Sequence, residues 1–148
     1  MSDLLDLPAE SRSSAWALEI GAGCGYQSAI LSELASEVFA MEIIPALARA
    51  AETRLARLGY RNIAVKAGDG ALGWREQAPF DGIIVAAAVA QAPPALVRQL
   101  KPGAKLVIPL GPAGGAQYLT VISRSSAGDV TENKVLPVAF VPFTGTNR

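Results

Sequence analysis

The chain has 148 residues, enough for one α/β core and short for two. Apolar residues make up 51% and charged residues 18%, an apolar balance for a globular domain that suggests a face covered by a second subunit or by further polypeptide. Thirteen basic and thirteen acidic residues cancel, with no long run of either sign, so nucleic acid is a poor partner, because phosphate-backbone binding needs clustered Lys and Arg.

In chain order, residues 1–14 hold an apolar cluster (Leu4, Leu5, Leu7) and then a polar, serine-rich stretch, read as a helix end and a loose connection. Ala15 to Ile20 is a short apolar run interrupted by Glu19, and it reads as a first strand. A glycine loop follows, and Tyr26 to Leu34, with apolar residues spaced by four, predicts a helix. Val38 to Glu42 is a second strand. Pro45 opens a second helix, lined by Ala46, Leu47, Ala50, Ala51, Leu55 and Leu58 and stopped by Gly59.

Ile63 to Ala67 is a third strand, closed by Gly68-Asp69-Gly70. Residues 71–79 read as a loop around Trp74. Phe80 to Val85 is a fourth strand, Pro93 and Pro94 begin a helix ending near Leu100, and Lys101-Pro102-Gly103 is a turn before a fifth strand, Lys105 to Leu110. From there the alternation changes. Tyr118 to Ser123 and Val130 to Val141 are extended runs joined by a turn, an antiparallel pair added to a parallel sheet. The expectation is a single α/β domain over residues 1–148, with one mixed sheet of about seven strands and helices on both faces.

Strand, glycine loop, helix is the first turn of a doubly wound sheet, where nucleotides bind at the strands' carboxyl ends. Gly21, Gly23 and Gly25 give G-x-G-x-G, and Tyr26 stands where a dinucleotide fingerprint wants its third glycine. Glu19 would repel a pyrophosphate but suits a cation. S-adenosylmethionine carries a sulfonium and an ammonium, and its carboxylate can meet the N–H groups of the loop and helix start. Glu19-x-Gly21-x-Gly23-x-Gly25 is the pattern of Rossmann-like methyltransferases; Ala22 lies within the loop, and Tyr26 and Gln27 border it. Glu42 lies 21 residues beyond Gly21, where an acid accepts ribose hydroxyls; the competing reading is a solvated acid before a helix. Ile43 follows it. Asp69, between Gly68 and Gly70, is placed to accept from an adenine amino group, the glycines leaving room for the base; the alternative is simple turn chemistry.

Cys24 is the single cysteine and histidine is absent, which speaks against a disulfide, a metal centre and Ser-His-Asp chemistry. No apolar run approaches the ~20 residues of a membrane span, and no basic-then-apolar leader opens the chain, so a cytoplasmic protein away from membranes is expected.

Five segments in order, Leu18–Gln27, Gly68–Trp74, Ala78–Val85, Leu106–Gly111 and Phe140–Gly145, resemble the protein-L-isoaspartate O-methyltransferase family. The resemblance runs from about Leu4 to Gly145. It implies a class I methyltransferase fold and methyl transfer from S-adenosylmethionine to the free α-carboxylate of isoaspartyl residues in damaged proteins, with S-adenosylhomocysteine as product. A carboxylate is already ionised at neutral pH, so this chemistry needs no base. Family members carry an N-terminal Ser/Thr-containing segment with the hydroxyl regarded as catalytic. Residues 1–14 do not match it, so no catalytic residue is carried over. Ala86 stands where the family usually has Thr. Two alternatives accompany this expectation: a cofactor-binding core without repair activity, and a methyltransferase for another small substrate. An apolar surface left open would drive homo-oligomer formation.

Overall fold

A computed structural model describes residues 1–112 and 114–145. Seven strands form one sheet in the order β3-β2-β1-β4-β5-β6-β7. They are β1 (Trp16–Ile20), β2 (Glu37–Glu42), β3 (Ile63–Ala67), β4 (Phe80–Val85), β5 (Leu100–Leu110), β6 (Gln117–Arg124) and β7 (Val130–Val138). β1 to β5 pair in parallel, whereas β6 is antiparallel to both β5 and β7. From β1 the chain first moves outward to β2 and β3, then returns to β4 on the other side of β1. That reversal opens a crevice at the carboxyl ends of β1 and β4.

Alternation along each strand sorts side chains to two faces. Leu18, Ile20, Phe39, Ile83, Leu106 and Ile108 form one core, which Leu96 of α3 (Pro94–Arg98) covers. Ala17, Val38, Ile84 and Val107 face the other way, against Leu31 of α1 (Tyr26–Ser32) and Leu5. α2 (Pro45–Arg57) packs on β2 and β3. Phe39 anchors an aromatic cluster, with Trp16, Trp74 and Phe80 at ring-centroid distances of 5.3, 5.4 and 5.9 Å.

Several boundaries differ from the sequence reading, each for a local reason. The N-terminal stretch is not a helix end but two 3₁₀ turns, Ser2–Leu5 and Ala9–Ser13, and Leu5 alone drives deep into the core. Its side chain fills the space over Gly82, where a Cβ would stand 3.0 Å from Leu5 Cδ1. Lys101-Pro102-Gly103 is a kink inside β5 rather than a turn before it: the β4–β5 register shifts between Phe80 and Gly82, and Gly103 takes φ 86°. The loop around Trp74 carries two 3₁₀ turns, Gly70–Leu72 at its entrance and Arg75–Gln77 within it. α1 ends at Ser32 and β7 at Val138, both shorter than periodicity suggests.

Leu5 thus acts as a peg fixing the N-terminal turn to the sheet. Leu5→Ala should lower unfolding stability by about 2–3 kcal/mol, read from a urea midpoint, whereas Leu4→Ala, on a half-buried side chain, should cost less than about 1 kcal/mol. Equal small effects would show that the turn is not anchored.

Candidate cofactor cleft

The glycine loop is shaped by the strand beside it. Met41 at the end of β2 offers one carbonyl to two successive amides, Gly21 N at 2.8 Å and Ala22 N at 3.0 Å. Glu42 Oε1 then accepts Gly23 N–H at 3.1 Å, and Gly25 N–H closes on the Ala22 carbonyl at 2.9 Å. This path needs φ of 88°, 54° and 89° at Gly21, Gly23 and Gly25, a region that costs a side chain-bearing residue 1–2 kcal/mol or so each time. The loop amides are therefore turned inward, and the expectation that they receive a ligand carboxylate is not met at Gly21, Ala22 and Gly23. The start of α1 carries no side-chain cap, and it is the part of this motif left to meet an anion.

At the switch point lies a cleft of about 550 Å³. Six of the candidate residues line it: Gly21, Gly23, Glu42, Ile43, Gly68 and Gly70. Glu42 is its one charged group among the described lining residues, only 7% exposed. Its Oε2 also accepts Ile44 N–H, at 3.2 Å, so both oxygens are held by backbone amides while each keeps a further acceptor direction. The rest is largely apolar, with Ile43 and Ile44 presenting exposed side chains. No cation lines the described wall, which fits a neutral or cationic ligand better than a pyrophosphate.

The other candidates lie elsewhere. Ala22 is buried in the loop. Gly25 and Tyr26 line an outer groove between α1 and α2, with Tyr26 72% exposed. Gln27 is half-buried and its Nε2 has no partner. Asp69 lines an adjoining hollow of about 720 Å³, which shares Met41 and Gly68 with the cleft. Its Oδ1 accepts Ala71 N–H at 2.9 Å, the turn role that competed with adenine recognition. The space at Gly70 belongs to Ile20 rather than to a base: a Cβ there would lie 2.1 Å from Ile20 Cγ2.

Glu19 does not reach the cleft. Strand alternation turns it to the face covered by α1, where it is 0% exposed. The Ser28 hydroxyl donates to Oε2, and Oε1 has no partner. Burial raises its pKa from 4.5 to about 7, against the Ser28 hydrogen bond, and the Glu42 charge adds to the rise.

Sequence reasoning missed the far wall. Ala87, Val141, Pro142, Phe143 and Thr144 line the cleft beside Ala86. A short parallel bridge holds this segment, Ala88 N–H to Val141 O and Phe143 N–H to Ala88 O, both 2.8 Å, with Phe143 buried. The signal was the proline-and-aromatic run after the last strand.

Residues 1–148 match the family described as Protein-L-isoaspartate(D-aspartate) O-methyltransferase (PCMT). Protein-L-isoaspartate O-methyltransferase 2 of Syntrophobacter fumaroxidans is 49% identical over 145 residues, 98% of this chain and 57% of that protein. A solved protein-L-isoaspartate O-methyltransferase superposes with a TM-score of 0.87 at 25% identity, over 99% of this chain and 47% of its own. A second, from Plasmodium falciparum, described as putative and in complex with S-adenosyl-L-homocysteine, shares the fold with a TM-score of 0.76 at 21% identity, over 97% of this chain and 70% of its own. The chain belongs to this family and has its class I methyltransferase fold. It spans 49–65% of the length of three curated relatives it matches.

The buried Glu19 makes stability depend on pH. The folded carboxyl keeps its proton up to about 7 and the unfolded one only to 4.5, so its contribution is full below 4.5 and lost as pH rises through about 7. The loss is at most about 3 kcal/mol. Glu19→Gln should flatten the fall in denaturation midpoint between pH 5 and 8. An unchanged slope would place the titration on another group.

Proposed function

We propose that this member of the protein-L-isoaspartate O-methyltransferase family binds S-adenosylmethionine in the β1/β4 cleft and methylates the free α-carboxylate of L-isoaspartyl residues. The observation that carries the reading is the family match across residues 1–148. The cleft supports it, since the one charge among its described lining residues is the carboxylate at the tip of β2.

In this reading Glu42 holds the ribose hydroxyls through the acceptor directions its amide partners leave open. Ile43 and Ile44 offer an apolar wall beside it. The ligand's carboxylate reaches past Gly23, at the edge of the cleft, toward the uncapped start of α1. The bound cofactor supplies a methyl group on a positively charged sulfur. The substrate carboxylate arrives ionised, so the protein has no proton to remove, and catalysis rests on alignment within the walls formed by Ala86 and residues 141–144. Asp69 meets the adenine amino group from the adjoining hollow while its Oδ1 caps its own turn.

The same proposal takes the chain as one cofactor-binding domain working in the cytoplasm, in keeping with its free, exposed Cys24. No helix among the described residues is long and apolar enough to cross a membrane. Self-association through the exposed Val130, Val135 and Leu136 of β7 belongs to it too.

Three measurements check this reading. An isoaspartyl peptide should accept a methyl ester that its aspartyl twin does not; equal labelling, or none, removes the repair assignment, and binding without turnover favours a cofactor-binding core. In calorimetry Glu42→Ala should weaken S-adenosylmethionine at least tenfold, through lost hydrogen bonds to a charged acceptor; unchanged affinity would take Glu42 out of the site. Light scattering should give a mass above the monomer at high concentration; a clean monomer would end the self-association proposal.

A further inference from the structure

Glu19 lies between Ala40 and Ile84 in the sheet register, with apolar neighbours on both sides. Burial that complete disfavours the charged form, and hydrogen-bond donors to the carboxylate are what restore it. Here one hydroxyl, from Ser28, reaches Oε2, and nothing reaches Oε1. The surrounding charges do not help. Glu42 on β2 is a second negative group acting on it. α1 contributes Ser28 and the neutral Gln27. On the β4 side the register neighbour is Ile84, and Asp81 is engaged with Trp16 N–H and Lys101. Arg54 of α2 donates to the Cys24 carbonyl on the outside of the loop. The arrangement fits a neutral carboxyl beneath the cleft.

We infer that Glu19 is a proton-linked positioning residue of the cleft, holding its proton while the site is empty and releasing it when a cationic ligand settles beside the glycine loop. The inference rests on the S-adenosylmethionine reading given above. Ile20 and Gly21, next along β1, line the cleft, and so does Glu42. A positive charge arriving there acts on Glu19 with the sign opposite to that of Glu42, favouring the ionised form. The O–H bond breaks, its electron pair stays on the carboxylate, and the proton goes to the buffer. Ligand affinity then rises with pH through neutrality and levels off above it.

The experiment is calorimetric titration of the intact chain with S-adenosylmethionine at pH 7, in phosphate and in Tris, which differ in ionisation enthalpy. The expected result is release of about half a proton per ligand, and affinity about tenfold tighter at pH 8 than at pH 6. Glu19→Gln should bind with no proton release and a flat pH profile. Ser28→Ala, which removes the donor that favours the ionised form, should move the midpoint of the profile to higher pH, and it tests the inference should Glu19→Gln fail to fold. Binding with the same heat in both buffers overturns the proton linkage and leaves the cofactor reading standing. Proton release that survives in Glu19→Gln overturns the assignment to Glu19. No binding in either buffer overturns the cofactor reading and this inference with it.

Discussion

The end of β2 holds three successive amides of the glycine loop, two on the Met41 carbonyl and one on the Glu42 carboxylate. The rest of the site follows from this clamp. A strand that ends in a loop with three left-handed glycines would otherwise be free to sample many shapes. Tied to its neighbour, the loop delivers α1 at one angle, places Gly21 against Ala86 across the switch point, and fixes the floor of the cleft. Glu42 is therefore both a candidate ligand and part of the loop's own structure.

The clamp also accounts for the character of the cleft. Because the amides at Gly21, Ala22 and Gly23 are already paired, the loop is not the nest of open N–H groups that grips a pyrophosphate. What remains is an apolar recess with one carboxylate on its wall and a second carboxyl buried behind it. The Glu42 carboxylate, with no cation among the described cleft-lining residues, biases the site toward positive charge. The buried carboxyl holds its proton into the neutral range chiefly because burial strips the charged form of water, and the Glu42 charge adds to the effect.

The architecture was legible because parallel strands buried on both faces read as near-continuous apolar runs, and glycine and proline punctuate them. Phe80–Val85, in the middle of the sheet, matches residue for residue, and so does the partly exposed edge strand Ile63–Ala67. Where the reading failed, a tertiary contact overrode a local signal. Lys101-Pro102-Gly103 is good turn chemistry, yet pairing with β4 carries the strand through it. In the cleft, residues fixed by the backbone trace were found: Gly21, Gly23 and Glu42 fall at strand tips wherever the fold is doubly wound. Side-chain direction was not legible from spacing alone. Glu19 is two residues before the loop, but alternation points it under α1, and Asp69 bends back to its own turn. The wall formed by residues 141–144 was hidden for another reason, since only the sheet order brings the chain's end beside β4.

Ala86 tests how much a wall of this kind must do. The family it resembles usually has Thr there, and this chain has a methyl group instead. Among the described lining residues the one hydroxyl side chain is Thr144, on the segment that the Ala88 bridge holds in place. In the proposed reaction neither group transfers a proton, because the nucleophile is a carboxylate and the leaving sulfur departs neutral. A wall hydroxyl can then contribute only by orienting, and orientation within the cleft depends on where the C-terminal segment sits. Its position is set from three sides. Ala88 pairs with it on the β4 side, Phe143 plugs into the core, and Gly145 passes so close to Asp69 that a Cβ would stand 2.5 Å from the carboxylate. The identity of residue 86 therefore matters less to the geometry than the bridge beside it.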